Sequence, residues 1–151
     1  TIPPLAPELQ KRLRTRLAPV GTSAANPVDV GTIFPEFDHL KASLEAAVED
    51  GNTDTIIVDA LFLYVSFDGE DTRRLMELPV QIKKSTGKAM AIVLTLETTG
   101  TKAMELEEKR RRAVDYYHSE GIPVFLTLER AAGAIARVVS YREWVAAHCS
   151  E

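Results

Sequence analysis

Leucine recurs at every fourth position in Leu5, Leu9, Leu13 and Leu17, with polar residues between. That spacing predicts a helix over residues 5–17, with Pro7 suited to a first helical position and Glu8 to the positive end of the helix dipole. Residues 18–32 lose the period and gather Pro19, Gly21, Asn26, Pro27 and Gly31. They predict a structured connection in which Val28, Asp29 and Val30 form a short edge strand. Helical spacing returns with Phe37, Leu40, Leu44, Ala47 and Val48, and the run stops at Asp50-Gly51-Asn52. Gly51 or Asn52 is expected there in the left-handed cap conformation. Residues 55–63 are almost continuously apolar and β-branched, which predicts a strand covered on both faces. Asp68-Gly69 turns the chain into a helix over residues 70–86, which Pro79 must kink or divide.

Residues 89–96 repeat the buried-strand pattern, and 98–101 form a loop with Thr101 as N-cap of the next helix. The inner stripe of that helix is Ala103, Leu106, Ala113, Val114 and Tyr117. Its outer face carries Glu105/Lys109, Glu107/Arg111 and Glu108/Arg112, i,i+4 pairs in the stabilising orientation. Gly121 ends the helix, residues 123–126 make a short strand, and Thr127 caps a last helix that runs on to Trp144 and Val145. Alternating helices and buried strands imply an α/β fold: a parallel sheet with helices on both faces, since parallel strands need crossovers and the crossovers cover the sheet. A helix comes first, whereas a doubly wound domain normally begins with a central strand.

At 151 residues, with 45% hydrophobic and 26% charged positions, the chain is expected to form one domain with its own core, residues 1–151. Eighteen Lys and Arg against 22 Asp and Glu give a net charge of −4, which opposes a general nucleic-acid-binding role. The longest apolar runs fall far short of the roughly 20 residues that span a bilayer, so no membrane association is expected. A single cysteine, Cys149, excludes an intramolecular disulfide and any cysteine-rich metal site, and it fits a reducing, cytoplasmic setting.

Four segments then carry a resemblance: Pro3-Pro4-Leu5-Ala6-Pro7-Glu8, Ala25-Asn26-Pro27-Val28-Asp29-Val30, Gly121-Ile122-Pro123-Val124-Phe125 and Glu129-Arg130-Ala131-Ala132. Together they resemble the C-terminal flavodoxin-like domain of ADP-forming acyl-CoA synthetases, the succinyl-CoA-synthetase-like superfamily, which includes chains fused to acetyltransferase domains. The Asn-Pro-Val-Asp element is the most specific part. The resemblance implies a ligase that joins a carboxylic acid to CoA at the expense of a nucleoside triphosphate, through an acyl phosphate and a phosphorylated histidine. CoA, ATP and Mg would be held by partner domains or subunits: the CoA-binding, phosphohistidine and ATP-grasp units. Domains of this type open with a strand and a glycine-rich loop, so the first strand is expected upstream of Thr1, leaving a sheet edge prone to self-association.

No residue of this chain is expected to be catalytic or to hold a metal. The phosphohistidine motif of the family centres on Ser-His-Thr-Gly, and His39, His118 and His148 have other neighbours and no metal-ligand spacing. Walker, dinucleotide-binding and hydrolase glycine motifs are missing, and a receiver-domain reading lacks its acidic pair and lysine. Asp29 and Asp59 are the carboxylates best placed for partial burial, Asp29 in a turn or backbone-capping role. The motif residues Asn26, Pro27, Val28 and Asp29 are assigned to structure or an interface. In succinyl-CoA synthetase relatives a helix N-terminus helps hold the phosphohistidine, which implies an interdomain loop here at Ser66, Asp68 and Gly69. Its acids Asp68, Glu70 and Asp71 would occupy that positive helix end and oppose phosphate, favouring a degenerate scaffold or interaction domain as the alternative function.

Overall fold

A computed structural model describes residues 2–32, 35–60, 69–95 and 103–149. Among these residues five helices and three strands follow one another as α1 (Pro7–Arg14), α2 (Phe37–Glu49), β1 (Thr55–Asp59), α3 (Glu70–Thr86), β2 (Ala89–Val93), α4 (Ala103–Ser119), β3 (Val124–Phe125) and α5 (Leu128–His148). The strands form one parallel sheet in the order β1-β2-β3, with Val58 beside Ile92 and Ile92 beside Val124.

Two apolar clusters organise the described residues. The larger joins Ile56, Val58, Met90, Ile92 and Leu94 of the sheet region to Leu40 and Leu44 of α2, Leu75, Leu78 and Ile82 of α3, and Ala113 and Tyr117 of α4. Side chains alternate along a strand, and Ala91 and Val93, buried yet outside this cluster, project the other way. On that side α5 packs on β2 and β3, and its buried residue Ala131 also stands outside the cluster. The parallel α/β arrangement expected from the hydrophobic pattern is therefore present. The smaller cluster holds Leu5, Leu9, Leu13, Leu17 and Ala24 against Ala46 of α2. The leucine stripe is thus a packing face that outruns the helix: α1 spans Pro7–Arg14, with Leu5 and Leu17 buried beyond its ends.

Several boundaries differ from the sequence expectation for identifiable reasons. α2 does not end on a left-handed Gly51 or Asn52. Its cap is Asp50 in extended backbone, buried because its carboxylate accepts from the Thr53 hydroxyl at 2.8 Å and from the Ala6 amide at 3.4 Å. Pro79 does not divide α3, which runs unbroken to a left-handed Gly87. Val28 to Val30 do not join the sheet; they contribute a single antiparallel bridge, Ser23 with Asp29. β1 closes at Asp59 and β2 at Val93, although the Leu94 amide still donates to the Phe125 carbonyl at 2.8 Å. The proposed extension of these strands to residues 61–63 and 96, and the Thr101 cap, lie outside the described residues. Thr127 caps α5 as expected, its hydroxyl accepting from the Arg130 amide at 3.3 Å.

The charged face of α4 forms all three expected pairs, with Lys109 2.9 Å from Glu105, Arg111 3.1 Å from Glu107 and Arg112 2.5 Å from Glu108. Arg110 adds a contact that i,i+4 counting misses: its guanidinium grips Glu107 through two hydrogen bonds of 2.7 Å. Chiefly through Arg110, and further through Arg111, the Glu107 carboxyl is held down to about 2, against an ordinary 4.5. A carboxyl lowered on folding stabilises the fold above its unfolded pKa and loses that contribution as pH falls through the folded value. The melting-temperature gap between the native chain and Glu107→Gln should therefore be full at pH 7 and shrink from about pH 4.5 down to about pH 2. A gap that stays constant across that range would separate Glu107 from acid stability.

Candidate functional site

In a parallel α/β sheet the place for a ligand is the crevice at the carboxyl ends of the strands. That end is built here from Asp59, Ala60, Leu94, Thr95 and Phe125, together with the first turn of α3. Asp59 is the last residue of β1; its outer surface meets solvent, yet neighbouring protein desolvates the carboxyl and raises its pKa. Of the expected interdomain loop, Ser66 and Asp68 lie outside the described residues. Gly69 is the N-cap of α3 in extended backbone, and as a glycine it has no side chain with which to cap the helix. The helix therefore begins with backbone N–H groups and two exposed acids, Glu70 and Asp71, in its first turn.

Thr72, one residue further, is 1% exposed, and its hydroxyl has no hydrogen-bond partner among the described residues. Beside this turn, Pro35, Glu36 and Phe37 at the start of α2 face Asp71, Arg74 and Leu75 across an open cleft of about 270 Å³. The Arg74 guanidinium lies 4.5 Å from the centre of the Phe37 ring, a cation–π contact that closes one side of the cleft. Two carboxylates and one arginine give the rim mixed charge, suited to a polar surface contact more than to gripping a lone anion. The sequence offered no signal for this pairing, because Phe37 and Arg74 belong to different helices, 37 positions apart in the chain. The larger cluster contains a second hydroxyl without a partner among the described residues, that of the fully buried Tyr117, whose pKa burial pushes up.

The Asn-Pro-Val-Asp element forms a different local structure. The Asn26 side-chain amide donates to the Pro3 carbonyl at 2.8 Å, tying the connection to the start of α1. The Asn26–Pro27 bond is cis. Val28 packs against the smaller apolar cluster. Asp29 and Ser23 exchange two backbone hydrogen bonds of 2.9 Å, and the Asp29 carboxylate accepts from the Gly31 amide at 2.8 Å. Asp29 is exposed, against the expectation of partial burial, and it takes the turn-forming role expected of it. The hydrogen bonds of this motif run to Pro3, Ser23 and Gly31, so it builds a support for α1.

The histidines also have local surroundings. His39 is 3.8 Å from Glu36, His118 is exposed, and His148 stacks on Trp144. Among the described residues no three His, Cys, Asp or Glu side chains stand together as a metal site, and no helix is long and apolar enough to cross a membrane. No protein-family model, curated protein or solved structure matches this chain.

Proposed function

We propose that this chain is a flavodoxin-like domain, of the succinyl-CoA synthetase type, from an ADP-forming acyl-CoA synthetase. In this reading it supplies an interdomain surface beside the phosphohistidine and does no chemistry alone. The observation that carries the proposal is the hydrogen bond from Asn26 to the Pro3 carbonyl, which locks together two of the segments on which the resemblance rests. The parallel order β1-β2-β3 supports the same reading. CoA, ATP and Mg belong to the partner units, and the first turn of α3 is the surface that meets them.

One observation favours the alternative of a degenerate scaffold in a regulatory or acetyltransferase fusion protein. Glu70 and Asp71 sit on the helix end that a phosphoryl group would use. At water-like screening each close like-charge pair costs about 1 kcal/mol, which matches the roughly 0.3 to 1 kcal/mol that a helix end offers an anion. An NMR titration of the labelled chain with a CoA-binding and phosphohistidine domain pair from an ADP-forming synthetase separates the two. Saturable shifts at residues 69–72 that require the phosphorylated form are the result expected of the synthetase domain. Shifts seen only in a Glu70→Gln, Asp71→Asn variant would transfer the assignment to the scaffold, and none in either would retire the interdomain site.

A further inference from the structure

The chain carries a protrusion and a notch on one face of one helix. α5 is 21 residues long, and past Ile135 every residue except the half-buried Val145 is exposed, including the large apolar Val138, Val139, Tyr141 and Trp144. Three of the rings on this half are already ordered. Trp144 stacks between Tyr141, at 6.5 Å, and His148, at 4.9 Å, with planes tilted by only 19° and 18°. A shelf arranged in advance loses less side-chain freedom when something covers it.

The notch lies in the first half of α5. Phe125, Glu129, Arg130, Gly133, Ala134 and Arg137 line an open groove of about 450 Å³. At Gly133 a Cβ would meet no atom of the described residues within 4 Å, so this lining position opens on free space. Glycine inside a helix costs about 1 kcal/mol relative to alanine, and here it leaves a hollow at the surface.

Gly133 and Trp144 are eleven residues apart, about three helical turns, so they share one azimuth at an axial separation of about 16 Å. A twofold axis between residues 138 and 139 interchanges the two levels. We propose that the exposed face of α5 docks antiparallel on the same helix of a second copy of this chain, each Trp144 seated in the other's Gly133 groove. The second copy is the occupant because a protrusion and a notch at this spacing complete each other reciprocally only about such an axis, as in closed isologous dimers. The same register sets Glu129 level with His148 of the second copy, a carboxylate against an imidazole. It also brings Arg137 to the level of Ser140 and Tyr141, where a guanidinium meets a ring face. This inference is independent of the proposed function.

Sedimentation equilibrium of the 151-residue chain, with folding checked by circular dichroism, reads the result. A monomer–dimer equilibrium is expected, weakened at least about tenfold by Trp144→Ala and by Gly133→Leu, which fills the notch with a better helix former. Met104→Ala, on the exposed face of α4, should leave it unchanged. Register is tested by oxidation. In the antiparallel dimer the two Cys149 residues lie about 30 Å apart along the helices, while the two Ser140 residues on the docking face are offset by about 4.5 Å. The native chain should stay unlinked, and a Cys149→Ser, Ser140→Cys variant should form a covalent dimer. A monomer at all concentrations, a dimer indifferent to both α5 variants, or linkage through native Cys149 would each overturn the proposal.

Discussion

Replacing Ile92 with alanine is expected to lower the unfolding free energy by about 3 to 5 kcal/mol, a large part of the 5 to 15 kcal/mol typical of a whole domain. Ile92 is 0% exposed on the central strand, with Val58 and Val124 as its neighbours in register. Its side chain lies in the cluster that also receives α2, α3 and α4, so three helices would have to shift to fill the space it leaves. The backbone cannot follow readily, because the Ile92 amide is fixed to the Pro123 carbonyl at 3.0 Å. Urea denaturation with an unchanged m-value would report this as a lowered midpoint. Val20→Ala, which removes apolar volume from an 84% exposed site, should stay within about 0.5 kcal/mol of the native chain. Equal effects at the two sites would mean that the sheet is not where stability is concentrated.

Gly31→Ala should cost about 2 to 4 kcal/mol, for two separable reasons. Gly31 has φ of +75°, where a Cβ is disfavoured, and the added carbon would stand 2.7 Å from the Gly21 carbonyl oxygen and 2.9 Å from the Thr22 side chain. Gly21 provides the control, since it has nearly the same φ, +76°, with nothing within 4 Å of a Cβ. Gly21→Ala should therefore show the conformational cost alone, about 1 to 2 kcal/mol. A larger loss at Gly31 than at Gly21, measured in the same denaturant series, isolates the close approach that lets the Asp29 turn fold back on the chain before it. Equal losses would remove the steric part of this account.

The parts of this fold that could be read from the sequence are those set by local periodicity. The spacing of Leu40 and Leu44, the apolar runs at 55 and 89, and the Thr127 cap each place an element correctly, because burial on one stripe or on two strand faces leaves its mark within a few residues. What could not be read depends on partners distant in the chain. Asp50 ends α2 because Ala6 and Thr53 hold its carboxylate, and the Gly-Asn pair beside it gives no hint of this. Pro79 sits inside α3 without breaking it, since the surrounding residues Leu75, Met76, Leu78, Val80 and Ile82 are all buried and packing outweighs the lost hydrogen bond. For the site, the Asn-Pro-Val-Asp motif was visible as a motif, whereas its hydrogen bond to Pro3 spans 23 residues. The Arg74–Phe37 pairing and the buried Thr72 hydroxyl likewise arise only when α2 and α3 pack side by side.

The division of the apolar interior into two clusters has a consequence for how the chain opens. α2 is a party wall: Leu40 and Leu44 belong to the sheet side, and Ala46 to the α1 side. α1 and the turn around Asp29 are joined to the remainder through that wall, the Asp50 contact with Ala6 and the surface ion pair of Arg12 with Glu49. Such a unit can detach while the sheet stays intact, at a smaller free energy than global unfolding. Protein lacking a docked α1 would then form a distinct minor population, in which backbone amides of residues 7–14 exchange with solvent while those of β2 remain protected.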